Sequence, residues 1–206
     1  MEKNYQKAAE FIRAASLQKA QLAVLPEYHL LNWMPHDEKF KEACGHWKEY
    51  LDRYRALAKE CNINIVPGTI VELHDQGTED ERLLNVAYFI KNDGEIAGQY
   101  TKKNLWGPIE RLHLTSSSMD PHPVFDTPLG KVGMLICWDL AFPEAFREMI
   151  SKGAKIIIIP TFWTFSGTVR AALIIVAFAH ICALQTALKP AWLSTPLPKA
   201  CSSTAC

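Results

Sequence analysis

The sequence predicts an α/β protein of layered type. Three observations carry that prediction. Short apolar runs occur at 21–26, 63–73, 123–137 and 155–160. Amphipathic helical stretches fall between several of them. An Asn92-Asp93-Gly94 turn separates two strand-like segments. Strands alternating with helices are the mark of a layered α/β fold.

Taken in order, residues 2–19 carry Tyr5, Ala8, Ala9, Ile12 and Ala15 at the spacing of an amphipathic helix. QLAVLP (21–26) is a short apolar run stopped by proline, the pattern of a buried strand. Residues 38–61 read as a single second helix, with Phe40, Trp47, Tyr50, Leu51, Tyr54 and Leu57 largely on one face. INIVPGTIVEL (63–73) is strand-like around a Pro67-Gly68 break. Segments 83–91 and 95–100 form a hairpin about the Asn-Asp-Gly turn. Residues 101–123 read as loop or a short helix within one. Residues 123–137 give two strands around Pro128-Leu129-Gly130, 142–153 a helix with proline at its start and glycine past its end, and 155–160 a last buried strand.

The totals narrow the function classes. A chain of 206 residues, 49% hydrophobic and 21% charged, suits a folded domain. Net charge is zero, from 22 basic and 22 acidic residues, so nucleic acid is not an expected partner. No acidic residue follows Glu148. Six cysteines, at 44, 61, 137, 182, 201 and 206, include no C-x-x-C pair and no zinc-like cluster. The N-terminus is charged and helix-like rather than signal-like. Free thiols in a reducing, cytoplasmic compartment are expected, with no metal.

Three residues stand just past candidate strands, where ligands of α/β sheets gather. Cys137 follows the strand VGMLI and precedes a helix starting near Phe142. Such a place lowers a thiol's pKa and offers backbone N–H groups to an oxyanion. Read alone, it is more readily an inert buried cysteine. Glu27 follows LAVLP among Tyr28, Leu30, Leu31 and Trp33. Desolvation there would raise its pKa and suit a general base, whereas alone it reads as a solvated loop carboxylate. Lys102 follows EIAGQY and could steady an oxyanion, although a Lys-Lys pair usually lies at the surface.

PEYHL, YTKKNLW and LICWDLAFPEAFR, in that order, resemble the nitrilase superfamily of carbon–nitrogen hydrolases. The resemblance covers roughly residues 1–165. It implies an α-β-β-α sandwich, incomplete here, and a Glu-Lys-Cys triad of Glu27, Lys102 and Cys137. It further implies that Glu110 orients the lysine or the substrate. Asp139, Pro143, Glu144 and Arg147 match residues supporting the nucleophile turn, and Thr161 to Trp163 match a pocket-lining segment. Asn104 stands where the family often has histidine, and it cannot carry a proton. The implied chemistry is attack of Cys137 on an amide or nitrile, with the Trp138 N–H and Lys102 holding the negative charge. A thioester would follow, then hydrolysis, with no metal or organic cofactor. The C-W-D sequence favours amide or carbamoyl-amine over nitrile. Family members commonly form homo-oligomers, so a homo-oligomer is open here.

The likeness stops near Phe165, leaving 166–206 as a divergent apolar segment and a Pro/Ser/Cys-rich tail. The family's extra first strand and its last hundred or so residues are not recognisable. A truncated, frame-shifted or mis-spliced product is expected, with poor stability and doubtful activity. An inactive remnant or interaction module of the same fold is therefore the alternative. Residues 171–188 are apolar enough to raise a membrane span, but His180 and Gln185 weaken that reading, and a buried or misfolded apolar helix is favoured. A membrane is not an expected partner.

Overall fold

The computed structural model describes residues 1–117 and 119–162. Residues 166–206, including the apolar 171–188, lie outside the described residues. The element order is α1 (Glu2–Leu17), β1 (Leu22–Val24), α2 (Glu38–Cys44), α3 (Trp47–Cys61), β2 (Asn64–Val66), β3 (Ile70–His74), β4 (Arg82–Ile90), β5 (Ile96–Thr101), α4 (Gly107–His113), β6 (Val124–Thr127), β7 (Gly130–Met134), α5 (Pro143–Ser151) and β8 (Ile156–Ile158). A short 3₁₀ helix, Cys137–Ala141, lies between β7 and α5.

β4 organises the first sheet. One edge pairs antiparallel with β3 and β2, the other with β5, and β1 runs parallel to β2 beyond. The second sheet is β6-β7-β8, with β7 and β8 parallel. Alternation along β4 divides its side chains between two cores. Val86, Tyr88 and Ile90 pack with Ala8, Ile12, Tyr54 and Leu57 of α1 and α3. Ala87 and Phe89 pack with Val132 and Met134 of β7. Because both faces are buried, β4 reads as a nearly unbroken apolar run. On the outer side of β7, a Cβ at Gly133 would stand 2.4 Å from the Met149 sulfur of α5, so any larger residue there would require that side chain to shift. The layers are therefore helices, sheet, sheet, helix: an α-β-β-α sandwich.

One expected element is split. The 38–61 helix breaks at Gly45-His46, whose N–H groups bond Glu42 and Ala43 carbonyls at 3.0 and 3.1 Å and tighten the turn. Glycine weakens a helix interior. The two halves also serve different cores: Phe40 and Cys44 pack with Tyr28 and Leu73, while α3 covers the β4 face. The hairpin turn stands as expected, with Gly94 at φ +84°. The loop at 101–123 contains α4.

Candidate active site

Each of the three strand-end residues is aimed by backbone hydrogen bonds that extend a ladder. Leu25 N–H bonds Val66 O at 2.9 Å, carrying β1 towards Pro26-Glu27. Gly68, at φ +57°, lies so close that a Cβ would sit 1.9 Å from Pro26 O. Tyr28, itself at φ +56°, donates its N–H to Thr69 Oγ1 at 3.2 Å. Lys102 N–H bonds Asn85 O at 2.8 Å just past β5. Leu135 and Cys137 N–H groups bond Ile158 O and Pro160 O, each at 3.0 Å, extending the β7–β8 pair to its last rung. Cys137 has φ +47°, a conformation costly for a residue with a side chain and frequent at functional turns.

These segments meet. Lys102, fully buried, donates to Glu27 Oε1 at 2.9 Å and to Glu110 Oε1 at 2.8 Å. Glu27 is 1% exposed and Glu110 5%, so the ammonium is sandwiched between two desolvated carboxylates. Asn85 Nδ2 donates to Glu27 Oε1 at 3.0 Å and to the Tyr28 hydroxyl at 3.1 Å. That hydroxyl donates to Glu110 Oε1 at 2.8 Å. Phe162 N–H donates to Glu27 Oε2 at 3.1 Å. Trp106 N–H donates to Glu110 Oε2 at 2.7 Å, tying the start of α4 to the cluster. The Cys137 sulfur sits 3.9 Å from Phe162 O, and Glu27 acts on the thiol both by charge and as a hydrogen-bond acceptor.

Burial raises the Glu27 carboxyl above the ordinary glutamate range, with Lys102 opposing the shift. For Lys102 burial works against the charge, but Glu27, Cys137 and Glu110 together outweigh it and raise its pKa. The Cys137 thiol is pushed up by burial and by the Glu27 charge, more than Lys102 offsets. The sequence led to the opposite expectation, a lowered thiol. The reason is positional: the sulfur lies beside a carboxylate in a desolvated pocket, and the 3₁₀ helix separates it from α5.

The supporting residues divide. Asp139, fully buried, accepts at Oδ1 from Asn104 N–H and Nδ2 (both 2.8 Å) and at Oδ2 from Tyr100 OH (2.9 Å) and Ile136 N–H (3.0 Å). It braces the Cys137 turn against the segment after Lys102. Trp138 lines a separate groove with Lys103, Asn104, Leu105, Arg111 and Phe142. Thr161 is buried and bonds Ile159 O at 3.0 Å, so Phe162, not Thr161, faces the cavity. Glu144 is not brought to the cluster: it is exposed in the first turn of α5 and pairs with Arg147 at 3.1 Å. Trp163 lies outside the described residues. Asn85 was missed by sequence reasoning, although a lone asparagine inside the apolar strand LLNVAYFI is a signal that could have found it.

The cavity beside the cluster holds about 210 Å³ and is lined by Glu27, Tyr28, Trp33, Trp106, Ile109, Glu110, Cys137 and Phe162. Among the described residues Cys44, Cys61 and Cys137 are free thiols. No helix among the described residues is long and apolar enough to cross a membrane.

Comparison with known proteins gives concordant results. The carbon-nitrogen hydrolase family profile matches residues 1–182. A probable hydrolase, YhcX of Bacillus subtilis, is 33% identical over 157 residues, covering 73% of this chain and 29% of that protein. The deaminated glutathione amidase of Bos taurus is 28% identical over 169 residues, covering 78% of this chain and 51% of that protein. The chain thus spans about half or less of these curated relatives. A carbon-nitrogen hydrolase from Helicobacter pylori matches at TM-score 0.73 and 24% identity, over 90% of this chain and 64% of that one. An amidase from Nesterenkonia sp. matches at TM-score 0.68 and 25% identity, over 81% of this chain and 61% of that one. The family match and the shared sandwich agree: this chain belongs to the carbon–nitrogen hydrolase family.

Proposed function

We propose that the cluster of Glu27, Lys102 and Cys137 hydrolyses a non-peptide carbon–nitrogen bond, of an amide or carbamoyl-amine rather than a nitrile. The observation that carries this reading is the fully buried Lys102 ammonium held by Glu27 and Glu110 beside a thiol at the end of β7. A fold gains nothing obvious from burying one cation and two carboxylates together, since desolvation costs several kcal/mol per ion, on the order of the gain from pairing. Perturbed, coupled titratable groups in a cavity are the arrangement chemistry needs. Several relatives are named as amidases, which favours the amide side of the choice.

The steps follow from the contacts. Glu27, whose raised pKa makes it a competent base, takes the Cys137 proton. The sulfur attacks the carbonyl carbon, and negative charge develops on the oxygen. An ammonium has three N–H donors, and Glu27 and Glu110 take two of Lys102's, leaving the third for that oxygen. The Trp138 backbone N–H, next in the 3₁₀ turn, is the second donor. Glu27 returns its proton to the leaving nitrogen, ammonia or amine departs, and a thioester remains on Cys137. Glu27 then deprotonates water, which attacks the thioester, releases the acid and restores the thiol. Glu110 keeps Lys102 charged and in place. A reducing, cytoplasmic compartment suits a chain that works through a free thiol.

The test incubates the chain with simple amides, carbamoyl-amines and nitriles, follows ammonia, and repeats this with Cys137→Ala. Release lost in the variant is expected. No release from either, together with no selective labelling of Cys137 by a thiol probe, would leave the chain as a non-catalytic member of its family.

A further inference from the structure

Resting on the hydrolase reading, we infer that the cavity selects the acyl side of its substrate: a neutral, apolar group up to the size of a phenyl ring, with anionic acyl groups turned away. The walls beyond the reacting groups are Tyr28, Trp33, Trp106, Ile109 and Phe162. They are braced against each other. Trp33 stacks on Tyr28 at 5.1 Å, Phe162 meets Tyr28 edge-on at 6.3 Å, and Trp33 meets Phe40 edge-on at 5.5 Å. Trp106 and Ile109 form an exposed rim on the first turn of α4. A bound apolar group would take that surface out of water, the main source of affinity in such sites. Size agrees as well: an apolar cavity of about 150 Å³ takes benzene, and this one holds about 210 Å³, enough for a ring and its carboxamide.

Charge sets the other limit. The lining includes two carboxylates and, among the described residues, no cation. Lys102 is not among the lining residues, and its charge is shared between both carboxylates. An anionic acyl tail would give up its hydration beside Glu27 and Glu110 with no counter-ion among the described lining residues. Because α4 supplies Glu110 to the chemistry and Ile109 to the rim, with Trp106 capping its start, one helix turn links the position of the lysine to the choice of acyl group.

The experiment measures kcat/KM by ammonia release for acetamide, butyramide, phenylacetamide and succinamate, using the full chain. Butyramide should exceed the equally long succinamate at least about tenfold, and phenylacetamide should exceed acetamide. Trp106→Ala should lower the phenylacetamide-to-acetamide ratio at least about tenfold, and Ile109→Arg should narrow the butyramide-to-succinamate ratio by a similar factor. Succinamate turned over as well as butyramide overturns the inference. So do ratios unmoved in variants that melt like the parent; if either variant fails to fold, the parent ratios decide. Should none of these amides be turned over, the hydrolase reading is decided separately by its own test, and the cavity is judged by protection of Cys137 from iodoacetamide. Phenylacetamide protecting and succinamate not protecting upholds the inference; equal protection, or none, overturns it.

Discussion

Replacing Lys102 by methionine removes a buried charge while keeping most of the stem volume. In the parent, the ammonium bridges Glu27 at 2.9 Å and Glu110 at 2.8 Å, with all three side chains nearly inaccessible. Removing one partner of a buried pair leaves the other charge uncompensated and costs about 3–5 kcal/mol, whereas a methionine of similar length adds little cavity penalty. Two carboxylates are orphaned here, so the expected cost is about 4 kcal/mol at neutral pH. For a domain of this size that corresponds to a fall in midpoint of roughly 8–16 °C. The pH dependence has a definite sign. Burial already raises the Glu27 carboxyl, so the folded chain keeps its proton over a window in which the unfolded chain has lost it. Stability from that group is fully present below the unfolded pKa and is lost as pH rises through the folded one. Without the opposing lysine charge this window widens upward. The deficit of Lys102→Met is therefore largest at neutral pH and shrinks towards acid. Denaturant unfolding of parent and variant across pH measures both. A neutral-pH cost below about 1 kcal/mol, the range of exposed ion pairs, or a deficit that grows on acidification, would refute the buried bridge.

Three further outcomes follow from the same geometry. If Glu27 is the base, kcat/KM falls as it becomes protonated, and the acid limb of the pH profile lies above the ordinary glutamate range because burial raises its pKa; a limb at or below that range would contradict the assignment. Asp139→Asn presents an NH₂ group to donors that now meet only oxygen, from Tyr100, Ile136 and Asn104. It should cost about 2–3 kcal/mol and slow thiol labelling of Cys137, read by denaturation and by intact mass against time. Gly68→Ala drives a Cβ towards Pro26 O at a backbone angle that disfavours a side chain. A loss of about 3 kcal/mol with weakened turnover is expected, since Glu27 is the next residue; an unchanged melting midpoint would show that the turn has slack.

Much of the architecture is legible in the chain because it is written locally. Period-two and period-3.6 patterns, the Asn-Asp-Gly turn and the Pro-Gly break each act within a few residues, and the strands and helices they announce are present. What escaped reading depended on partners far along the chain. Gly45 breaks a continuous apolar stripe because its two halves face different cores. Glu144 carries a motif match yet points to solvent. Asn85 sits mid-strand, and its purpose shows only when Glu27 and Tyr28, more than fifty residues earlier, close on it.

From the residues alone came the order of the elements, the placing of Glu27, Lys102 and Cys137 past strands, and the family resemblance that joined them. Tertiary structure decided that Lys102 is enclosed rather than solvated, that Glu27 and Glu110 share its charge, and that the thiol's pKa rises rather than falls. The division is physical. Secondary structure answers to neighbours a turn or a strand step away, whereas desolvation and charge coupling are sums over every group that folding brings near, and those sums do not exist until the two sheets have closed on one another.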